Sequence, residues 1–432
     1  MYWQKELECA PRRELEAIQL ERLKWVVAHC YNNVAFYHQR LDAAGVTPDK
    51  IKTLSDIQYI PYTTKEDIRD NYPYGLFGAP MDKIVRLHAS SGTTGKPTVV
   101  GYTQHDLTLW SDLVARTVAA AGATSQDIVQ ISFGYGLFTG ALGLHYGLEK
   151  LGATVVPTSS GNTKKQIMLM KDLGTTALVS TPSYALYIAE TMKEMGYKRE
   201  DFKLRLGLFG SEGCTIEMRD QIERELGVFA TDNYGMSELM GPGVSGECRL
   251  RHGMHIWEDH FLPELIDSQT LEVLPQGAMG ELVITTLTKE GFPILRYRTK
   301  DITTLDYSPC GCGRTHVRMA KVTGRSDDML KIRGVNVFPS QIESVLMTVP
   351  QVGPHYQLVV RRSGFLDTLE VKVELLDETL LEKYSQLEQV EHSAKERLKT
   401  VLGIDVTVTL CNPKSLERFE GKAKRIIDLR GS

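Results

Sequence analysis

No run of apolar residues in this 432-residue chain approaches the roughly twenty that a bilayer-spanning helix requires, which argues against a membrane-embedded protein. A basic block is missing too. The 50 Lys+Arg stand against 54 Asp+Glu, for a formal net charge of -4 spread along the chain, so nucleic acid is not an expected partner. The opening Met1-Tyr2-Trp3-Gln4-Lys5-Glu6 lacks the apolar stretch of a secretory signal, and the expected location is cytoplasmic. Cysteine is scarce and odd in number, 7 in all, which argues against a disulfide framework and for free thiols or metal ligands. Internal repeats and low-complexity segments are likewise absent. What remains is a chain too long for one hydrophobic core, hence a large globular enzyme of two or three domains.

Hydrophobic spacing predicts an amphipathic helix from Arg13 to about Ala44, through Leu15, Ile18, Leu23, Val26, Val27, Cys30 and Val34. Thr63 with Glu66 reads as a capping box for a further helix that ends near Tyr72-Pro73. Strands are expected at Ile84–Ala89 and Thr98–Tyr102. Helix-like Asp106–Ala121 and Lys165–Leu173 then alternate with strand-like Asp127–Phe133, Thr154–Pro157 and Ala177–Thr181, the pattern of an α/β sheet. After Ile256 the texture turns to strands, including Gly280–Thr286 and Pro293–Leu305. From Gln341 onward a helix at Leu380–Leu402 mixes with strands at Leu358–Val360, Leu369–Leu375 and Asp405–Leu410. A charged stretch at Arg325–Asp328 is the expected domain boundary.

Between the first two strands lies Ser90-Ser91-Gly92-Thr93-Thr94-Gly95-Lys96-Pro97. It is not a Walker loop: Ser90 replaces the first glycine, Pro97 replaces the magnesium-binding hydroxyl, and a strand follows. Backbone N–H groups freed by Gly92 and Gly95, the hydroxyls of Ser90, Ser91, Thr93 and Thr94, and the Lys96 ammonium can still cradle phosphates. A solvated turn is the plainer alternative.

This loop, Asn233-Tyr234-Gly235-Met236-Ser237-Glu238, Tyr297-Arg298-Thr299-Lys300-Asp301, the run Gly324 to Gly334 and Gly421-Lys422 occur in the order of the adenylate-forming superfamily. The Gly134–Gly140 stretch, the block from Glu247 to Asp301 and the Cys310-Gly-Cys312-Gly313-Arg314 turn resemble its phenylacetate–CoA ligase family in particular. The resemblance implies an α/β fold: a large multi-layered N-terminal domain with mixed sheets (1–326) and a small, mobile α+β C-terminal domain (327–432). It implies an acid–CoA ligase that activates an aromatic carboxylate, phenylacetate or a related arylacetate, with ATP and Mg2+ as acyl-AMP and passes the acyl group to coenzyme A. Residue by residue, the loop from Ser90 to Lys96 would hold the β- and γ-phosphates and Tyr234 would lie against adenine. Ser211, Glu212, Asn233, Gly235, Met236 and Ser237 would complete the nucleotide site. Glu238 would coordinate magnesium, Asp301 would accept from both ribose hydroxyls, and Arg325 would sit near ribose and phosphate. Asp327 matches the hinge and Lys422 the adenylation lysine, with Lys424 as fallback. Alone, Tyr234 would read as a core aromatic and Asp301 as a surface carboxylate; together they point to the nucleotide.

The acid pocket is expected from Tyr135, Gly136, Phe138, Thr139 and Gly140 facing Gly210, Ser211 and Glu212, since glycines and aromatics make a flat slot for an aryl ring. Cys248, Cys310 and Cys312 share a β-rich stretch (about 245–320) with His252 and His255, and three thiols plus an imidazole complete a structural zinc set. His255 is the expected fourth ligand, because it opens the His-Ile-x-Glu-Asp run that related ligases share. Cys9, Cys30, Cys214 and Cys411 are read as structural. A homodimer is compatible with this reading. The competing functions are an adenylyltransferase of the same fold that makes no thioester, and a non-catalytic zinc-stabilised binding protein.

Overall fold

The computed structural model of the chain describes residues 1–90, 97–327, 330–333, 335–363, 366–419 and 424–430. Its centre is a twelve-stranded sheet. One half is parallel, in spatial order Thr154–Val156, Ile128–Ile131, Ala177–Ser180, Leu206–Gly210 and Phe229–Met236. The sheet continues antiparallel through Gly241–Glu247, Met254–Ile256, Arg318–Met319, Tyr297–Asp306, Met279–Thr286 and Phe261–Ile266, and Gly324–Arg325 pairs with Tyr297–Asp306 beside this path.

The two halves differ because of their side chains. Every residue of Ala177–Ser180 and Leu206–Gly210 is buried, as expected of strands covered on both faces by crossover helices. Tyr297–Asp306 instead alternates buried and half-buried positions, the signature of one covered face. The helices Thr139–Leu151, Thr163–Asp172, Pro182–Glu194 and Ile216–Leu226 connect the parallel strands. Parallel strands release their following segments at one edge. Phe133–Phe138, Ser211–Glu212 and Ser237–Glu238 therefore gather there.

A four-stranded sheet of its own, ordered Thr407–Cys411, Leu366–Leu375, Val352–Ser363, Ile426–Asp428, lies in the C-terminal part with helices Pro339–Met347 and Tyr384–Leu402. Its buried apolar residues, from Leu330 to Val408, form a cluster separate from the N-terminal cores. The fold is thus a large α/β part with mixed sheets and a smaller C-terminal domain.

Three local expectations are corrected. The entry helix breaks into Arg12–Asn33 and Ala35–Ala43, because buried Val34 takes extended backbone (φ -120, ψ 105). Val34 still donates to the Cys30 carbonyl and accepts from the His38 N–H, so its own backbone groups stay paired across the break. The capping box is Thr64 with Asp67, one residue later than read, as the Thr63 hydroxyl is spent on the Leu295 carbonyl at 2.6 Å. The helix expected from Leu380 starts at Tyr384, behind a 3-10 turn at Glu378–Glu382 whose first turn is capped by Asp377.

Candidate active site

Strands Arg86–Ala89 and Val99–Tyr102 pair antiparallel, so the Ser90–Pro97 segment leaves and re-enters a hairpin. Its base is fixed by Ser90 N–H to Thr98 O at 3.0 Å and by Ala89 N–H to Leu137 O at 2.9 Å. The second bond ties the loop to the stretch expected to hold the acid. Ser91, Gly92, Thr93, Thr94, Gly95 and Lys96 lie outside the described residues, as does Lys422.

Tyr234 and Asp301, 67 residues apart in sequence, are joined by the phenol donating to Asp301 Oδ2 at 2.6 Å. Arg325 donates to the other oxygen at 3.3 Å and, through Nε and Nη2, to both oxygens of Asp327 at 2.9 Å. The order of the motifs suggested this grouping, but not the Arg325–Asp327 chelate. Burial, and then Asp301 itself, raise the Tyr234 phenol well above its ordinary value, so it stays a donor.

Close packing explains the glycines of this edge. A Cβ on Gly235 would stand 1.9 Å from the Gly241 carbonyl oxygen, and one on Gly210 would stand 2.7 Å from Asn233 O. Asn233 donates its amide to Phe209 O at 2.6 Å, and the Ser237 and Thr139 hydroxyls meet at 3.1 Å, linking the nucleotide segment to the slot. Ser211 holds a left-handed φ of 70, a strained conformation of the kind kept at functional sites. Glu212 accepts from the Ser183 N–H at 2.7 Å, capping helix Pro182–Glu194. Met236 and Tyr135 pack against the main core, Gly136 has φ 143, and Phe138 is 37 % exposed with its ring against Gly140.

Two features here were invisible in the sequence. Behind Tyr135, the hydroxyl meets His145 Nδ1 at 3.1 Å and His145 Nε2 meets Glu149 at 3.0 Å, a chain that orients the phenol. Beside the buried Glu238, the wholly buried Lys289 donates to Leu239 O at 2.8 Å over the Tyr102 ring. Burial pushes this ammonium down to about 7, with Asp106 and Glu238 pulling the other way.

The thiols of Cys248, Cys310 and Cys312 and the His255 ring lie with their ligand atoms within 4.8 Å of one another. Cys248 Sγ and Cys310 Sγ are 3.9 Å apart, and Cys312 Sγ is 3.4 Å from His255 Nε2. A tetrahedral zinc ion would set these edges at about 3.8 Å and about 3.6 Å, so the donor set fits. His255 Nδ1 lies 3.3 Å from the His316 carbonyl, which leaves the Nε2 lone pair for a metal. A hydrogen bond from Cys248, opposed by burial and aided by His255, holds the Cys312 thiol well below its ordinary value. His252, the alternative ligand, is exposed. Just beyond the turn, Arg314 donates to Glu8 and to Met1 O, both at 2.7 Å, and Thr315 to Ala10 O at 2.6 Å. The turn therefore also clasps the first ten residues.

Residues 16–288 match the family of AMP-binding enzymes, and residues 334–430 match the AMP-binding enzyme C-terminal domain. The chain is 50% identical over 444 residues to the phenylacetate-coenzyme A ligase of Thermus thermophilus, covering 100% of both chains. Among solved structures, 2-hydroxyisobutyryl-CoA ligase in the postadenylation state with R3-HIB-AMP is similar at TM-score 0.93 and 28% identity, covering 99% of this chain and 92% of that one. The same ligase with 2-HIB-AMP and CoA in the thioesterification state matches over the same shares at 29% identity, but with TM-score 0.73.

Proposed function

The chain belongs to the phenylacetate–coenzyme A ligase family of AMP-binding enzymes, and from this premise we propose that it activates an arylacetate with ATP and transfers the acyl group to CoA. In the first step a carboxylate oxygen attacks the α-phosphorus in line, the bond to the β-phosphate oxygen breaks, and pyrophosphate leaves. In the second, the CoA sulfur attacks the acyl carbon, the bond to the AMP oxygen breaks, and the thiol proton passes to solvent. The observation that carries this reading is the Tyr234–Asp301–Arg325 cluster at the sheet edge, in a chain half identical to a phenylacetate-coenzyme A ligase over its whole length.

Asp301 would accept from the ribose, Tyr234 would lie on adenine, and the segment Ser90 to Lys96 would hold the phosphates that depart. Lys422 would oppose the charge that builds at the α-phosphate and the acid oxygens, as preorganised donors do. The buried carboxylate of Glu238 is a suitable oxygen ligand for magnesium, which would supply charge neutralisation at the leaving pyrophosphate. Tyr135, with its His145–Glu149 support, and Gly136 to Gly140 would face Gly210–Glu212 across the acid. Cys248, His255, Cys310 and Cys312 would hold one zinc ion in a closed, structural role. We place the boundary between a domain of 1–326 and one of 327–432, with Asp327 as the hinge. No helix of the described residues is long and apolar enough to cross a membrane, and the proposed setting is the cytoplasm, with diffusible acid, ATP and CoA as partners.

The test is acid-dependent ATP–pyrophosphate exchange over a panel of acids, followed by thioester formation on adding CoA. Exchange with arylacetates and a CoA thioester is the expected result. Exchange without thioester would overturn the ligase in favour of an adenylyltransferase.

A further inference from the structure

Helix Pro182–Glu194 runs back from the acid edge, its first turn capped by Glu212. The C-terminal chain is docked on this helix at three points, two of them through arginines. Arg418 donates to both oxygens of Glu190, at 3.3 and 3.3 Å, while its other bonds go to Glu374 of its own sheet at 2.8 and 2.8 Å and to the Leu416 carbonyl at 3.2 Å. Arg425 donates to the Ser183 hydroxyl at 2.9 Å, while Glu343 and the Tyr356 ring, at 4.3 Å, hold it from its own side. His355 supports the first anchor, 3.5 Å from Glu190, and Glu212 attracts the second guanidinium. Further along the helix, Lys414 pairs with Glu194. Both arginine side chains are largely buried, at 14% and 15% exposure, so these contacts are not the screened surface pairs that contribute little.

Arg418 and Arg425 bracket Lys422 in the sequence, four residues before it and three after. The arrangement in which these contacts exist is specific. It matches the ligase in its postadenylation state and departs from the same ligase in its thioesterification state. We propose that Arg418 and Arg425 are positioning residues for adenylation, docking on Glu190 and Ser183 to deliver the Lys422 segment to the acid edge and releasing that helix for thioester formation. The proposal rests on Lys422 being the adenylation lysine.

Ser183→Ala and Glu190→Gln test it, since both remove an acceptor on the N-terminal side and leave the C-terminal core untouched. Arg425→Ala removes the donor, and Arg425→Lys restores part of it. Each variant is assayed for phenylacetate-dependent ATP–pyrophosphate exchange and, separately, for CoA transfer from synthetic phenylacetyl-AMP, with melting temperature alongside. Misplacing a reacting group costs up to about a hundredfold in rate. Exchange should fall about tenfold in Ser183→Ala and Glu190→Gln and up to about a hundredfold in Arg425→Ala, with partial rescue by lysine and transfer within about twofold of wild type. Equal losses in both half-reactions, or none in exchange, would overturn the positioning role. Lys422→Ala serves as the separating control: if it leaves exchange intact, the lysine assignment fails on its own, whatever the anchors do.

Discussion

Replacing Asp301 with Asn probes the nucleotide site with the least change in shape. A carboxylate offers about four acceptor positions, and Tyr234 and Arg325 each donate to a different oxygen of Asp301. In Asp301→Asn the orientation is dictated by Arg325, which can only donate, so the amide oxygen must face it and the NH2 must face Tyr234. The phenol can turn and accept. A ribose hydroxyl on that side then meets a donor and loses its bond, while the other keeps a neutral acceptor. Charged hydrogen bonds contribute about 1.5–3 kcal/mol and neutral ones about 1, so the substitution should cost roughly 2–4 kcal/mol of nucleotide binding. At about 1.4 kcal/mol per tenfold, KM for ATP should rise from about thirtyfold to several hundredfold. The assay is phenylacetate-dependent exchange with ATP and with 2′-deoxy-ATP, a cycle in which the loss from the deoxy substrate should shrink in the variant because the shared bond is already gone. Unchanged KM for ATP, or undiminished discrimination against the deoxy nucleotide, would refute the ribose role.

Three further outcomes are expected. Purified protein should carry one zinc ion per chain by elemental analysis, and Cys312→Ser should lose it and lower the melting temperature by about 5 °C or more, with activity falling only as folded protein is lost. Phenylacetate should exceed acetate in kcat/KM by about ten- to a hundredfold, since burying one aromatic ring contributes about 1.5–3 kcal/mol; equal values would remove the aryl slot. Lys422→Ala should slow pyrophosphate exchange about a hundred- to a thousandfold and spare thioester formation from supplied acyl-AMP, and comparable losses in both steps would refute its role.

The residues whose grouping could be read in the sequence are those whose chemistry is unusual for their position. Three thiols and a histidine in one β-rich stretch are a donor set before any coordinates exist, and they meet within 4.8 Å. Spacing could not choose between His252 and His255, because only the fold turns one of them inward, on the strand Met254–Ile256. Tyr234 and Asp301 were legible through the order of their motifs, whereas the partner that orients Tyr135 was not. His145 and Glu149 lie at i and i+4 on a helix whose sequence reads as an ordinary amphipathic segment. Lys289 was hidden for the same reason: a lysine in a turn reads as solvated, and only packing beneath Tyr102 and Phe292 buries it. The errors of one residue, such as Thr63 for Thr64, came from hydroxyls with two possible uses, where a long-range carbonyl outbid the local cap.

The contacts between the two parts also bear on how a domain rotation would be set energetically. Arg325 and Asp327 make a bidentate pair, but Asp327 is 47% exposed at its side chain, and an exposed pair is worth at most about 1 kcal/mol. Breaking it at the proposed hinge would therefore cost little, and it cannot be what holds the C-terminal part in place. The buried apolar residues of that part form a cluster of their own, so its core can turn as a unit. Rotation is also resisted by the polar docking on Glu190 and Ser183, where sheltered guanidiniums would exchange protein acceptors for water, together with Lys414 on Glu194 and Ser344 on Glu217. That exchange is only partly offset, since hydrogen bonds to water replace those lost and leave about 1.5–3 kcal/mol for a bond to a charged group. A few sheltered polar bonds, with separate cores on either side, give an interface specific enough to orient a lysine and weak enough to open when CoA must enter.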